Sequence, residues 1–185
     1  MEFSRKSGKP RAFLNEAGLY EYAVRSLGRQ MRTESELRRL MGRRVEPGES
    51  GEAAMTAVVA RLKDYGYLDD AAYAETYARL RQQNDKLGVR RVRQDLQQKG
   101  VGSELIAEAL DARYGQTDEA ALARAYLERK RIARPTNEKE TARVMRRLLT
   151  AGFSTGIIYK LLRQWDVPDE SLTALDNLDT ESHEA

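Results

Sequence analysis

A stretch of this chain recurs 52 positions further on. LQQKGVGSELIAEAL (96–110) aligns with LLTAGFSTGIIYKLL (148–162), setting Leu96 on Leu148, Gly100 on Gly152, Val101 on Phe153, Ile106 on Ile158 and Leu110 on Leu162. What returns is a helix stop, an apolar turn residue and the start of another helix. A period of this size belongs to small supersecondary units that complete their cores against neighbours. A chain of 185 residues has room for several.

The helical reading extends over the rest of the chain. Pro10, Pro47, Pro135 and Pro168 all lie between periodic segments, because proline removes a backbone donor and clashes inside a helix. Leu19, Tyr22, Ala23, Ser26 and Leu27 share one face of a helix over 16–27. Thr33 and Glu36 form a capping box ahead of Leu37, Leu40 and Met41. Met55, Val58, Val59 and Leu62 stripe a third helix, which closes at Tyr65-Gly66, where glycine takes the left-handed conformation easily.

A second round follows. Asp69 caps a helix with Tyr73, Tyr77 and Leu80; the next, from Gly88 to Lys99, presents Val89, Val92 and Leu96; another begins at Ser103 with Leu105, Ile106, Ala109 and Leu110. The third round starts at Thr117 with Leu122, Tyr126 and Leu127. It continues from a box at Asn137 and Glu140 through Val144, Leu148 and Leu149, and ends with Ile157, Ile158, Leu161, Leu162 and Trp165. In the opening round Leu37 and Met41 take the places of Val92 and Leu96. No segment alternates with period two. The pattern predicts an all-α protein of nine helices in three tandem three-helix, helix-turn-helix-like units at 16–66, 67–115 and 116–167, forming an elongated body, curved or straight. Flexible segments are expected at 1–15 and 168–185.

Composition narrows the chemistry. With no cysteine, neither disulfides nor thiolate zinc sites can form, and the single histidine, His183, lies three residues from the end. Catalysis by a histidine base is therefore nearly removed. The opening MEFSRKSGKPRAF has no apolar stretch and no span approaches a membrane crossing, so a cytoplasmic protein is expected. The net charge of +3 conceals an asymmetry. Residues 166–185 carry seven acidic side chains and no lysine or arginine, which leaves the other 165 residues at a formal +10. Such a basic body suits a polyanion or an acidic protein surface, and the acidic end could shield it; a solvated helical protein rich in Arg and Glu shows the same balance.

Asp69 and Asp70 are adjacent carboxylates of the kind that hold magnesium. A nuclease needs further converging carboxylates, and the simpler reading is a cap at Asp69 with Asp70 at the helix's positive end. Tyr67 and Leu68 read as packing residues between units. There is no GxxxxGK[ST], and Gly100-Val101-Gly102 is a helix end plus a turn, so neither an enzyme nor a cofactor is expected. The nine tyrosines include candidates for base stacking, but those at helical spacing read as core with the hydroxyl at the rim.

The second helix of each unit is the stronger functional candidate. The first unit offers Arg38, Arg39, Arg43 and Arg44; the second Arg90, Arg91 and Arg93, with Lys99 at the helix end; the third Arg143, Arg146 and Arg147, at i, i+3 and i+4 opposite Val144 and Leu148. A guanidinium binds phosphate or carboxylate oxygens two at a time. Any one cluster could equally be a solvated face with intrahelical ion pairs.

GYLDDAAYAETYAR (66–79), followed by LGVRRVRQDLQQKGV (87–101), resembles the central signature of the RecX family, and the likeness runs from about Leu19 to Trp165, weaker in the outer units. The resemblance implies a non-enzymatic modulator that binds within the groove of the RecA filament on DNA. It implies inhibition of ATP hydrolysis, strand exchange and co-protease activity, and hence a place in homologous recombination, DNA repair and the SOS response. On that reading the basic residues above contact RecA or DNA, with weak, salt-sensitive binding to single- and double-stranded DNA, and the protein is a monomer without metal or cofactor. The rival reading is a free-standing helix-turn-helix-like DNA-binding protein that acts without RecA. A helical scaffold for another protein is a third.

Overall fold

The computed structural model describes residues 12–165, so Pro10, most of the opening segment, the acidic end from Asp166 and His183 lie outside the described residues. Among the described residues there are nine α-helices and no strand. None is long and apolar enough to cross a membrane.

The first three helices begin where side chains can satisfy their free amides. α1 (Glu16–Leu27) opens at Asn15, whose side chain accepts from the Gly18 amide at 3.0 Å. α2 (Glu34–Met41) carries the expected capping box, with Thr33 accepting from the Glu36 amide and Glu36 accepting from the Thr33 amide. α3 (Glu49–Asp64) ends at Gly66, which stands at φ 69° while the Tyr67 amide donates to the Leu62 carbonyl. The three helices pack on one another around Leu19, Ala23, Leu37, Met41, Val58 and Leu62. Leu68 joins that core, but Tyr67 is 56% exposed, contrary to its expected packing role.

α4 (Asp70–Gln83) opens at Asp69, whose carboxylate accepts from the Ala72 amide at 3.0 Å. Its Leu80 is 42% exposed rather than buried with Tyr73. α5 (Val89–Gln98) packs on α6 (Ser103–Tyr114). α7 (Glu119–Arg129) starts one residue later than the sequence suggests: Asp118 caps it by accepting from the amides of Ala120 and Ala121. Thr117 accepts from the buried Gln82 amide and donates to the Arg113 carbonyl instead. α8 (Glu138–Thr150) begins at Asn137, and α9 (Thr155–Arg163) packs on both α7 and α8.

Packing separates the chain into two compact units. Of the described residues, those up to Tyr73 with Lys99–Val101 make up one; Ala74–Gln98 with those from Gly102 to Trp165 make up the other. The second has its core at Ala123, Leu127, Val144, Leu148, Phe153 and Ile158.

The 52-residue repeat is realised in burial and backbone. Leu96 and Leu148 are both 0% exposed, Ile106 and Ile158 are fully covered, and Val101 and Phe153 are both buried. Gly100 and Gly152 take φ 75° and 91°. Each glycine also touches the start of an earlier helix within its own compact unit. In the first, Gly100 lies against Ser35, and the preceding Lys99 carbonyl accepts from the Thr33 hydroxyl at 2.6 Å. In the second, Gly152 lies against the Arg91 backbone, and the preceding Ala151 carbonyl accepts from the Gly88 amide at 2.8 Å. A Cβ on either glycine would collide with these neighbours, so backbone conformation and close approach both select glycine there.

Candidate functional site

α2, α5 and α8 all carry arginines, but the side chains around them differ. On α2, Arg38 pairs with Glu34 at 2.8 Å, and Glu34 also pairs with Lys63. Burial would raise the Glu34 carboxyl, but hydrogen bonds from Lys63 and Arg38 outweigh it and hold the group below the usual carboxylate range. Lys99 pairs with Glu36 at 2.8 Å and lies 5.7 Å from the Tyr73 ring centre. Burial opposes its charge; hydrogen bonding to Glu36 and Tyr73 prevails and holds it above the usual lysine range. Arg44 is half-buried with its guanidinium 5.3 Å from the Tyr22 ring centre, whereas Arg39 and Arg43 are exposed.

The two adjacent carboxylates face different tasks. Asp69 caps its own helix, while Asp70 accepts from the Glu34 amide at 2.9 Å and so serves the first turn of α2. Burial pushes the Asp70 carboxyl upward. The sequence reading credited Asp70 to its own helix, since a partner 36 residues away leaves no local trace. Among the described residues no third carboxylate or histidine joins them in a metal-binding group.

On α5, Arg91 pairs with Asp95 at 2.9 Å, and Asp95 also accepts from the Tyr77 hydroxyl at 3.0 Å. Burial raises the Tyr77 hydroxyl, keeping it a neutral donor. Arg90 and Arg93 are exposed.

α8 is arranged otherwise. Arg143, Arg146 and Arg147 are exposed and form no ion pair among the described residues. Arg143 and Arg147, one turn apart, line a cavity of about 240 Å³ together with Arg131, Arg134 and Glu140. The carboxylate there is engaged. Glu140 accepts from the Thr136 amide at 2.8 Å and hydroxyl at 2.9 Å, and those bonds hold it below the usual range. The expected box at Asn137 is thus half present: Asn137 accepts from the Glu140 amide, but Glu140 reaches back to Thr136.

Arginines around one concavity suit a phosphate or carboxylate, because a guanidinium can offer two parallel donors. Sequence reasoning found Arg143 and Arg147 from helical spacing and missed Arg131 and Arg134. These belong to the loop between α7 and α8, where no periodicity marks a shared direction. The basic run RKRIARP was the signal available.

The description "RecX, second three-helix domain" matches residues 69–110. "Regulatory protein RecX" of Levilactobacillus brevis is 32% identical over 159 residues, 84% of this chain; the chain spans 58% of that relative's length. "Regulatory protein RecX" of Leptothrix cholodnii is 32% identical over 126 residues, covering 68% of this chain and 78% of the relative. A solved structure, "Crystal structure of regulatory protein RecX", superposes with a TM-score of 0.65 at 28% identity, covering 80% of this chain and 71% of that one.

Proposed function

The chain belongs to the family of RecX regulatory proteins, and from that premise we propose that it binds the RecA recombinase filament on DNA and restrains it. In this reading ATP hydrolysis, strand exchange and co-protease activity all fall, because bound protein obstructs filament growth or the incoming duplex. The protein acts in the cytoplasm as a monomer and performs no chemistry of its own. Three three-helix units, 16–66, 67–115 and 116–167, divide the binding among them and gain from effective concentration.

One observation carries the reading: among the described residues Arg143 and Arg147 of α8 form no ion pair and line a cavity, although an ion pair occupies the equivalent positions on α5. A paired surface arginine gains little by moving to a new anion, whereas an unpaired one keeps its donors for a partner. Arg39, Arg43, Arg90 and Arg93 are exposed and extend the same surface chemistry. Arg38, Arg91 and Lys99 contribute less, being held by Glu34, Asp95 and Glu36.

The test is RecA ATP hydrolysis on single-stranded DNA. Equimolar or substoichiometric protein should slow it, and an unchanged rate would overturn the inhibitory reading. The Arg143→Ala, Arg146→Ala, Arg147→Ala triple variant should cosediment less with RecA filaments while keeping its helicity. Tight, sequence-specific duplex binding indifferent to RecA would replace the proposal with that of a free-standing DNA-binding protein.

A further inference from the structure

The arginine cavity has a neighbour across the loop joining α7 to α8. Arg131, Ile132 and Ala133 line both cavities, and the second, about 400 Å³, is completed by Arg124, Leu127 and Trp165 among others. Trp165 is the chain's one tryptophan, and both it and Ile132 pack against the core of the second compact unit. The indole is therefore supported from beneath while it lines a cavity large enough for a flat ring system.

Arg131 is placed at some cost. It takes the left-handed conformation, φ 51°, as α7 closes with the Ile132 amide donating to the Leu127 carbonyl at 2.9 Å. Glycine is the residue that holds such a turn without strain. Arg131 nonetheless lines both cavities.

A cavity with an indole on its wall, beside one that several arginines line, is complementary to a nucleotide, which joins a flat base to a phosphate. Bases of any sequence stack on indole faces and on guanidinium planes, and phosphate oxygens accept from arginine forks. Glu128, also on the wall of the Trp165 cavity, can accept from a base N–H.

We propose that a nucleotide unit binds across the Arg131–Ala133 loop, its base against Trp165 and its phosphates at Arg143, Arg147 and Arg131. This rests on the reading above for its setting and deepens it, by assigning the α8 arginines to the nucleic-acid strand rather than to RecA.

Trp165 supplies its own signal. Its fluorescence is followed without RecA while four ligands are added separately: an oligothymidylate, thymidine 5′-monophosphate, a strand of abasic deoxyribose phosphates and a duplex. The oligothymidylate should quench, and its dissociation constant should rise about sevenfold from about 50 to about 200 mM salt, as expected for two neutralised phosphates on a single strand. Quenching by the mononucleotide as well would make the free nucleotide a sufficient ligand, and quenching by the oligonucleotide alone would make it the strand; either supports the site. Arg143→Ala with Arg147→Ala should raise the dissociation constant at least about tenfold with the maximal quench retained, and the double lysine variant should recover part of the loss. By anisotropy of a labelled strand, Trp165→Phe should bind within about threefold of the parent, and Trp165→Ala should bind about fivefold or more weakly.

Absence of quenching overturns the proposal. So does equal quenching by the abasic strand or the duplex, or an unchanged dissociation constant in a helical double arginine variant. The RecA hydrolysis assay is read separately, so inhibition by a chain that fails every arm here would leave the regulatory reading standing without this site.

Discussion

α5 and α8 are the same helix twice, seen from inside, and different helices seen from solvent. Val92 and Leu96 of α5 correspond to Val144 and Leu148 of α8, all buried, and both helices end in a left-handed glycine. The 52-residue offset also sets Arg91 on Arg143, and Asp95 on Arg147. In α5 the i, i+4 pair is a closed ion pair of opposite charges; in α8 it is two arginines lining one cavity. An opposite pair at this spacing gives a helix about 0.2–0.5 kcal/mol and a like pair costs a similar amount, so α8 gives up on the order of 0.5–1 kcal/mol for its charge pattern. A helix that forgoes that stability keeps its donors available for something outside itself.

The deepest part of the comparison is the shared interior, and it predicts the largest effects. Leu96→Ala and Leu148→Ala should each lower unfolding free energy by about 2–5 kcal/mol, since both side chains are wholly covered and leave a cavity. Chemical denaturation followed by circular dichroism measures this. A neutral result at either position would break the equivalence of the two helices.

The glycines sharpen it. Both hold left-handed backbone, and a Cβ on either would meet atoms that cannot swing away: the backbone of Arg91 for Gly152, and for Gly100 the Cβ of Ser35, which is fixed to its Cα. Gly152→Ala and Gly100→Ala should therefore each cost about 2–4 kcal/mol, strain included. Gly156→Ala is the control. That glycine lies in the first turn of α9 with open space around its Cα, and alanine there should stabilise by about 0.5–1 kcal/mol. A neutral result at either Gly100 or Gly152 would mean that its junction yields and that the two are not equivalent.

The contrast between interior and surface also explains what the sequence disclosed. The helix starts at Glu16 and Glu34, the capping box at Thr33 and the buried faces around Leu37, Leu96 and Leu148 follow from periodicity and local hydrogen bonding, which act within four residues. The seven-acid chain end is just as plain in the sequence, but it falls outside the described residues. Asp70 at the first turn of α2, the Asp95 bond from Tyr77 and the bond from Gln82 to Thr117 join residues 36, 18 and 35 positions apart, where no spacing rule reaches. Tyr67 was misplaced because nothing local tells an apolar turn residue that meets a neighbour, as Leu68 does, from one that meets water. In the candidate site the helical half, Arg143 and Arg147, was legible and the loop half, Arg131 and Arg134, was not. Trp165 stood in the sequence as the last apolar residue of a helix, and only the fold gives it a cavity to line.

The smallest expected change in stability separates the two helices most directly by function. Arg147→Asp rebuilds in α8 the pair found in α5, setting an aspartate one turn after Arg143. Helix stability should change by only a few tenths of a kcal/mol, because the regained pair is offset by aspartate's lower helix propensity and its place near the negative end of α8. Affinity for an anionic strand should fall at least about tenfold, since one guanidinium is lost and its neighbour is drawn to the new carboxylate. The reciprocal Asp95→Arg removes the acceptor of the Tyr77 hydroxyl and the partner of Arg91, and should cost about 1 kcal/mol. Strand affinity should then improve by less than about threefold, because Arg131 and Arg134 line the α8 cavity, and a second arginine alone does not reproduce that loop. Fluorescence titration and thermal unfolding of the two variants side by side measure both. If Asp95→Arg gained as much affinity as Arg147→Asp lost, charge count alone would govern binding, and the cavity beside α8 would have no part in it.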